Sequence, residues 1–466
     1  MQYYSLFPCK KCNVLHFFLA KSVDINILIL YGEEKMKRYA INDLLKWKES
    51  ADRKPLVIQG ARQVGKTWLM KEFGRLYYKQ TVYINFDNNK QLENIFQENI
   101  DIKNIIASLE IISSQKITAE DTLIIFDEIQ EIPNALKALK YFYEESPEYH
   151  IICAGSLLGI SIHQNTSFPV GKVDFLKLYP LTFAEFLDAC GKEQLINVIK
   201  NKNTALLMTF KDELKNFLKI YSYIGGMPEV VKNFIDNNDY DKARKLQNNI
   251  LLSYEYDFGK HAPNNDIPRI REVWKSIPSQ LAKENKKFVY GVIREGARAK
   301  EYEKAIMWLY DAGLIYTVHN VNNPEIPLSA YKDIKTFKIY MLDIGLLGAM
   351  TNLDKKILLN EDIFIKFKGL YAEQYVLEQF ILKYDNLCYY TNDRNSAEIE
   401  YLIEYTGNII PVEVKAGINL KAKSLKTYID KYKPVKALRF SLADYKVTDN
   451  LIDIPLYAIN FYEKYI

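Results

Sequence analysis

Cysteine is scarce in this chain. Cys9, Cys12, Cys153, Cys190 and Cys388 are too few and too scattered for a disulfide framework, which points to a reducing compartment. Cys9 and Cys12 form a lone C-x-x-C without the second pair that a structural zinc site uses. Long apolar runs are missing too: stretches such as Ile27 to Tyr31 stop far short of the roughly eighteen residues of a membrane span. The expectation is a cytoplasmic protein with no membrane contact. An excess of one charge is also lacking, since 62 Lys and Arg face 58 Asp and Glu for a net charge of +4. The whole molecule is therefore no obvious polyanion binder, and any contact with DNA has to come from a local patch.

The first 35 residues lack helical or strand periodicity. They do not form a clean signal peptide either, because the basic pair Lys10 and Lys11 is followed by a broken apolar stretch. Met36 then opens a segment in which Ile41, Leu44, Leu45 and Trp47 suit an amphipathic helix. The expectation is that translation starts at Met36 and that residues 1–35 are an extension. The remaining length is too great for one core and suggests roughly three domains.

Residues 60 to 67 read GARQVGKT, a match to G-x-x-x-x-G-K-[ST], between the apolar run Leu56, Val57, Ile58 and the helix-compatible stretch Trp68 to Phe73. In such a phosphate-binding loop Gly60 and Gly65 let the backbone curl. The N–H groups of Gly60, Ala61, Arg62, Gln63, Val64, Gly65, Lys66 and Thr67 then point at phosphates, with the positive end of the next helix added. Lys66 is placed to bridge the β and γ phosphates of ATP, and Thr67 to put its hydroxyl on magnesium. The second element is Thr122 to Phe126, an apolar strand ending in Asp127 and Glu128, the form of a Walker B motif. Asp127 would hold magnesium and Glu128 would polarise the attacking water, so Glu128 separates a hydrolase from a mere nucleotide binder.

From 54 to 180 apolar runs alternate with helical patterns: Leu56 to Gln59, Thr81 to Phe86, Thr122 to Phe126, His150 to Ala154 and Phe175 to Leu178. Strands separated by helices predict a parallel α/β sheet of the P-loop class. Ser156, after the fourth run, is either a polar sensor of the γ phosphate or a helix N-cap.

The string SFPVGKVDFLKLYPLTFAEFL (167 to 187) and YIGGMPEVV (223 to 231) extend the motif set. So do residues 277 to 315, FKIYMLDIGLLGAM (337 to 350) and PVEVKAG (411 to 417). Together they resemble a family of prokaryotic AAA-type ATPases fused to an uncharacterised C-terminal domain. The resemblance implies an ATPase core over 36–190, a helical lid over 191–262, a winged-helix-like segment over 263–330 and a small α/β nuclease-like domain over 331–466. In that family the place of Lys172 is commonly Arg, a candidate trans-acting finger. Lysine lacks the planar fork.

Leu214, Phe217, Leu218 and Tyr221 at helical spacing suit the lid, and Gly225, Gly226 and Pro228 suit a turn. Residues 265 to 325 read as three helices and a hairpin with Asn322 and Asn323 at its turn. Arg294, Arg298 and Lys300 lie near the start of the third helix, where a DNA-reading helix carries contacts, although such modules also serve for packing alone.

Further on, Glu398 to Glu404 and Ile409 to Lys415 flank a short turn and read as an antiparallel hairpin. Period-two geometry puts Glu398 and Glu400 on one face, and Glu413 and Lys415 on one face. A carboxylate followed by acid-x-lysine on the next strand resembles the PD-(D/E)xK nuclease core. By that resemblance Glu400 is the first acid, Glu413 the second and Lys415 the lysine, with Glu373 the helical acid, the three acids forming a second magnesium site. The family usually has Asp at the place of Glu400. Glu and Lys alternating on a strand can also be a solvated face. The chain thus reads as an ATP-hydrolysing protein coupled to a DNA-binding or nuclease-like half. The alternative is an ATP-dependent binding or signalling switch with an inactive nuclease-like fold that merely recognises nucleic acid or protein; a protein partner or a homo-oligomer is expected on either reading.

Overall fold

Short apolar strands set the first layer. In the computed structural model they are β1 (Leu56–Gln59), β2 (Gln80–Asn85), β3 (Thr122–Asp127), β4 (His150–Ala154) and β5 (Asp174–Lys177). The structure describes residues 36–87, 89–96, 100–155, 168–283, 286–360, 369–392, 397–417 and 423–466. Expectations for residues 1–35, including Cys9 and Cys12, and for Ser156 lie outside the described residues. The five strands form one parallel sheet in the order β2-β3-β4-β1-β5, with register such as Leu56 opposite Ile152 and Gln59 opposite Lys177. Alternate residues face opposite layers: Ile58, Ile125 and Ile152 enter one core, Val57, Ile124 and Ile151 the other. The inner strands β1, β3 and β4 are covered on both faces and so are apolar at nearly every position, whereas the edge strands β2 and β5 are only partly buried.

Helices flank this sheet at Lys66–Tyr77, Ile102–Ser113 and Pro133–Glu145. Asp101 caps the second by accepting from Lys103 N at 2.9 Å, and Pro133 opens the third with its fixed φ. The lid follows as helices Glu193–Lys200, Thr204–Thr209, Lys211–Ile224, Pro228–Asn237 and Tyr240–His261. Gly225, with φ of 74°, ends the third of these, and Pro228 starts the next. A Cβ on Gly226 would lie 2.1 Å from the Leu181 carbonyl oxygen, so only glycine lets the turn close on the chain leaving β5.

Helices Ile267–Leu281, Tyr290–Ile293 and Ala299–Asp311 precede β6 (Ile315–Val321) and β7 (Asp333–Met341). The hairpin expected to turn at Asn322 and Asn323 does not do so. Pro324 and Pro327 cannot donate to a ladder, and the chain runs through a short 3₁₀ turn at Leu328–Tyr331 before β7 begins. Nor does this pair stand apart as a wing. It continues through a parallel pairing of β6 with β8 (Cys388–Thr391) into β9 (Glu398–Tyr405), β10 (Asn408–Val414), β11 (Ala437–Ser441), β12 (Lys446–Thr448) and β13 (Leu451–Pro455). The order of this eight-stranded mixed sheet is β12-β13-β11-β10-β9-β8-β6-β7, so the expected 330/331 boundary falls within the β6 to β7 connection. Thr406 and Gly407, both with positive φ, make the tight turn between β9 and β10. Helix Leu370–Phe380 packs on β7 and β10. Residues 35–466 form one compact unit. Among the described residues no helix is long and apolar enough to cross a membrane.

Gly226→Ala is expected to cost about 2 kcal/mol or more, read as a lower urea midpoint, because a backbone carbonyl cannot move aside as a side chain can. The control is Gly291→Ala, where nothing lies within 4 Å of the added Cβ and the midpoint should hardly move.

Candidate functional site

The loop between β1 and the helix Lys66–Tyr77 is held by backbone conformations that few residues adopt. Gly60, Gln63 and Gly65 all have positive φ, at 151°, 67° and 94°. A Cβ on Gly60 would sit 2.3 Å from the Leu178 carbonyl oxygen. Lys66 is buried, and its Nζ donates to the carbonyls of Gly60 at 2.8 Å and Ala61 at 2.9 Å, folded back across the loop's mouth. Burial depresses its pKa to about 8, opposed by the nearby charges of Glu128 and Asp127 and assisted by Arg62. A cation held at such a cost favours an incoming polyanion. Arg38 braces the loop from outside, donating to Val64 O at 2.8 Å and pairing with buried Glu185 at 3.2 Å.

Thr67 and Asp127 meet. The Thr67 hydroxyl donates to Asp127 Oδ2 at 2.7 Å, and the Tyr83 hydroxyl donates to the same oxygen at 2.9 Å. A hydroxyl and a carboxylate side by side are the hard oxygen donors that magnesium takes while keeping waters of its own, so these residues fit that ion. Glu128 follows at the strand end in the left-handed conformation, φ 53° and ψ 41°, and its Oε2 accepts from Gln130 Nε2 at 2.7 Å. A non-glycine residue there carries backbone strain of a kind often found at working sites.

The lid helix Tyr240–His261 grips the loop. The Tyr254 hydroxyl donates to Arg62 O at 2.8 Å, Gln63 Nε2 donates to Ser253 Oγ at 2.9 Å, and Arg62 Nη1 pairs with Asp257. Ser253, Tyr254 and Asp257 escape sequence reasoning. Their spacing shows that Ser253 and Asp257 share a helix face, but nothing in it tells which loop that face meets. Lys172 lies just before β5, at the opposite end of the adjacent parallel strands from Gly60, where it pairs with Glu144 at 2.9 Å.

In the C-terminal sheet Glu400, Glu413, Lys415 and Glu373 come near enough for their charges to interact. They are not alone. Lys286 pairs with Glu373 Oε1, while Lys338 Nζ lies 3.8 Å from Glu373 Oε2 and 2.5 Å from Glu398 Oε1. Tyr340 donates to Glu373 Oε2 at 3.2 Å, and Lys415 pairs with Glu413. Burial pushes the Glu373 carboxyl up, but Lys286 and Lys338 outweigh it and hold the group below its ordinary range. Burial, and then the Glu413 charge, push the Glu400 carboxyl well above its ordinary range.

Among the described residues no three carboxylate, imidazole or thiolate side chains are placed to share an ion. Around Glu373, Glu400 and Glu413, the residues expected to form a second magnesium site, Lys286, Lys338 and Lys415 supply positive charge. Lys286 and Lys338 were missed in the sequence. The available signal was Lys338 itself, a lysine inside the apolar run of β7, fully buried in the fold.

On the helix Ala299–Asp311 the exposed face carries Lys300 and Lys304 but also Glu301 and Glu303, and Glu301 pairs with Arg294 at 3.5 Å. The basic group of Arg294, Arg298 and Lys300 is thus partly neutralised by its own neighbours.

Three stretches of the chain match known domain families. Residues 52–187 match the AAA domain family, residues 216–357 a domain of unknown function (DUF8612), and residues 368–459 another domain of unknown function (DUF4143). No curated protein matches the chain. Among solved structures the chain is similar to a Walker-type ATPase of Pyrococcus abyssi, at 14% identity and a TM-score of 0.42, over 68% of this chain and 97% of that one. It is also similar to the ORC1 protein of Aeropyrum pernix, solved in complex with DNA, at 13% identity and a TM-score of 0.25, over 67% of this chain and 90% of that one. For Cdc6p of Pyrobaculum aerophilum the values are 14% and 0.24, over 70% and 97%. The sheet order, the loop and the matched domain define an AAA-type P-loop ATPase domain. The two domains that follow it have no assigned function.

Two outcomes test these sites. Lys66→Ala removes the cation at the loop's mouth and should weaken nucleotide binding at least tenfold, given about 1.5–3 kcal/mol for a charge-assisted contact, as read by titration calorimetry. In the C-terminal cluster Lys338→Ala takes the lysine from Glu398 and leaves Glu373 with Lys286 and Tyr340, and should cost about 3–5 kcal/mol of stability. Glu400→Gln, which keeps the side chain's size and removes a carboxylate that burial penalises, should cost less than about 1 kcal/mol in the same denaturation measurement.

Proposed function

We propose that this protein is an ATP-hydrolysing switch whose C-terminal half is a nuclease-like fold that does not cleave. The observation that carries the first part is the meeting of Thr67 and Asp127 beside buried Lys66, with Glu128 next along the chain. Lys66 holds the β and γ phosphates, the loop N–H groups cradle them, and Thr67 and Asp127 hold magnesium, which when bound supplies charge neutralisation on the phosphate oxygens. Glu128 accepts a proton from the water that attacks the terminal phosphate.

The second part rests on the lysines around Glu373. A helical acid beside a β-hairpin that bears Glu400, Glu413 and Lys415 supports a nuclease-like core. Glu373 is already paired with Lys286 and Lys338, and burial beside Glu413 disfavours the charged form of Glu400, which supports the non-cleaving form. The segment 263–330 keeps the three helices of a winged-helix module. Its mixed surface charge favours a protein partner or a second copy of the chain over DNA. Residues 36–262 then make the nucleotide-dependent part and residues 263–466 the responding part.

Purified protein should hydrolyse ATP with magnesium and leave both DNA and RNA intact. Glu128→Gln should retain ATP binding while turnover falls by at least a hundredfold, following the usual 10²–10⁴ contribution of about one general base. Turnover at the wild-type rate in that variant removes Glu128 from the reaction. Magnesium-dependent cleavage lost in Lys415→Ala would instead establish the C-terminal half as a nuclease.

A further inference from the structure

The lid helix Tyr240–His261 is engaged at both ends. Near its end it meets two consecutive loop residues through Tyr254, Ser253 and Asp257. Near its start Arg244 donates to the carbonyls of Gly345 at 3.3 Å and Leu353 at 3.2 Å, both in the C-terminal half, and Asp241 pairs with Lys355. Between these ends Gln247 Nε2 donates at 2.8 Å to Tyr223 O and Ile224 O, just before the Gly225 turn. The helix is 22 residues long without a break, a rod of roughly 33 Å. A movement of one end is therefore passed to the other.

The pair at the loop end is built to be contested. Asp257 is buried, burial pushes its carboxyl up, and Arg62 is the main charge that pulls it back. One turn further, the Nε2 of His261 is buried without a hydrogen-bond partner. Arg62 belongs to the same loop as Lys66, whose Nζ rests on the carbonyl of Ala61, the residue before Arg62. A phosphate held by Lys66 thus arrives beside Arg62, and a guanidinium binds a phosphate through two parallel hydrogen bonds. A triphosphate brings one more such group than a diphosphate.

We infer that Arg62 and Asp257 form a latch that tells a nucleoside triphosphate from a diphosphate: the terminal phosphate takes Arg62 from Asp257, and the lid helix, released at that end, carries the change to the C-terminal half. The inference rests on the loop binding ATP as proposed above. Arg62 is the group that touches phosphate, and Asp257 is a positioning residue that acts through it.

The test is equilibrium binding of fluorescent ATP and ADP with magnesium to the full chain carrying Glu128→Gln, so that nothing turns over. Asp257→Asn keeps the shape of the side chain but frees Arg62. It should tighten ATP about tenfold, within the usual range of coupling between sites, and change ADP less than about twofold. Asp257→Glu restores the charge and should return the ATP to ADP ratio toward that of the parent. With Arg62→Ala present, Asp257→Asn should alter neither nucleotide. Equal shifts for both nucleotides, or an effect that persists without Arg62, overturns the latch while leaving the ATP site standing. A parent chain that binds neither nucleotide overturns the loop reading and the latch with it.

Discussion

The buried carboxylate of Asp343 ties the two halves of this molecule together at the glycine turn. Asp343, at the end of β7, accepts from the backbone N–H of Gly226 at 2.6 Å and from that of Leu346 at 2.9 Å. Gly226 in turn accepts from Leu181 N at 2.7 Å, and the Tyr221 hydroxyl donates to Leu181 O at 2.6 Å. One continuous set of hydrogen bonds runs from the chain leaving β5, through the glycine turn of the lid, into the C-terminal sheet. Burial lifts the Asp343 pKa to about 6 against the pull of these donors, so the contact is kept at an electrostatic cost. The glycines explain how it fits: a Cβ on Gly225 would lie 2.3 Å from Asp343 Oδ1.

The two charged centres differ in a way that bears on function. Around the phosphate-binding loop, Lys66 is desolvated and rests on carbonyls, with Arg62 lent to a carboxylate of the lid. Such cations gain when a polyanion arrives. In the C-terminal cluster three lysines and four glutamates compensate one another across a helix, three strands and the segment before β6. Removing Lys286 or Lys338 leaves buried Glu373 with less compensation, so these ion pairs fasten the elements to one another.

Much of the first half was legible because its signals are local. The loop motif, the Asp-Glu strand end and the apolar runs of a sheet covered on both faces each declare themselves over a few residues, and Leu214 to Tyr221 declare a lid helix by spacing. The β9 to β10 hairpin was equally open, since Thr406 and Gly407 serve the tight turn. The turn at Asn322 and Asn323 misled because the residue types suit a turn while the return strand is delayed by two prolines. Partners were not legible at all. Periodicity gives the face a side chain occupies and not what it meets, so Asp257 against Arg62, Asp343 against Gly226 and Lys338 between Glu373 and Glu398 appear only in the folded chain.

Nucleotide state, as proposed above, reaches the C-terminal half through the lid helix, and hydrogen exchange of the full chain with ADP and with a non-hydrolysable ATP analogue, both with magnesium, tests this. Exchange should differ between the two nucleotides at the loop, along the end of the helix Tyr240–His261, and at the Gly225 turn and the segment around Gly345 and Leu353. Differences confined to residues 60–67 and 122–128, with the lid helix and the C-terminal half unchanged, would contradict it.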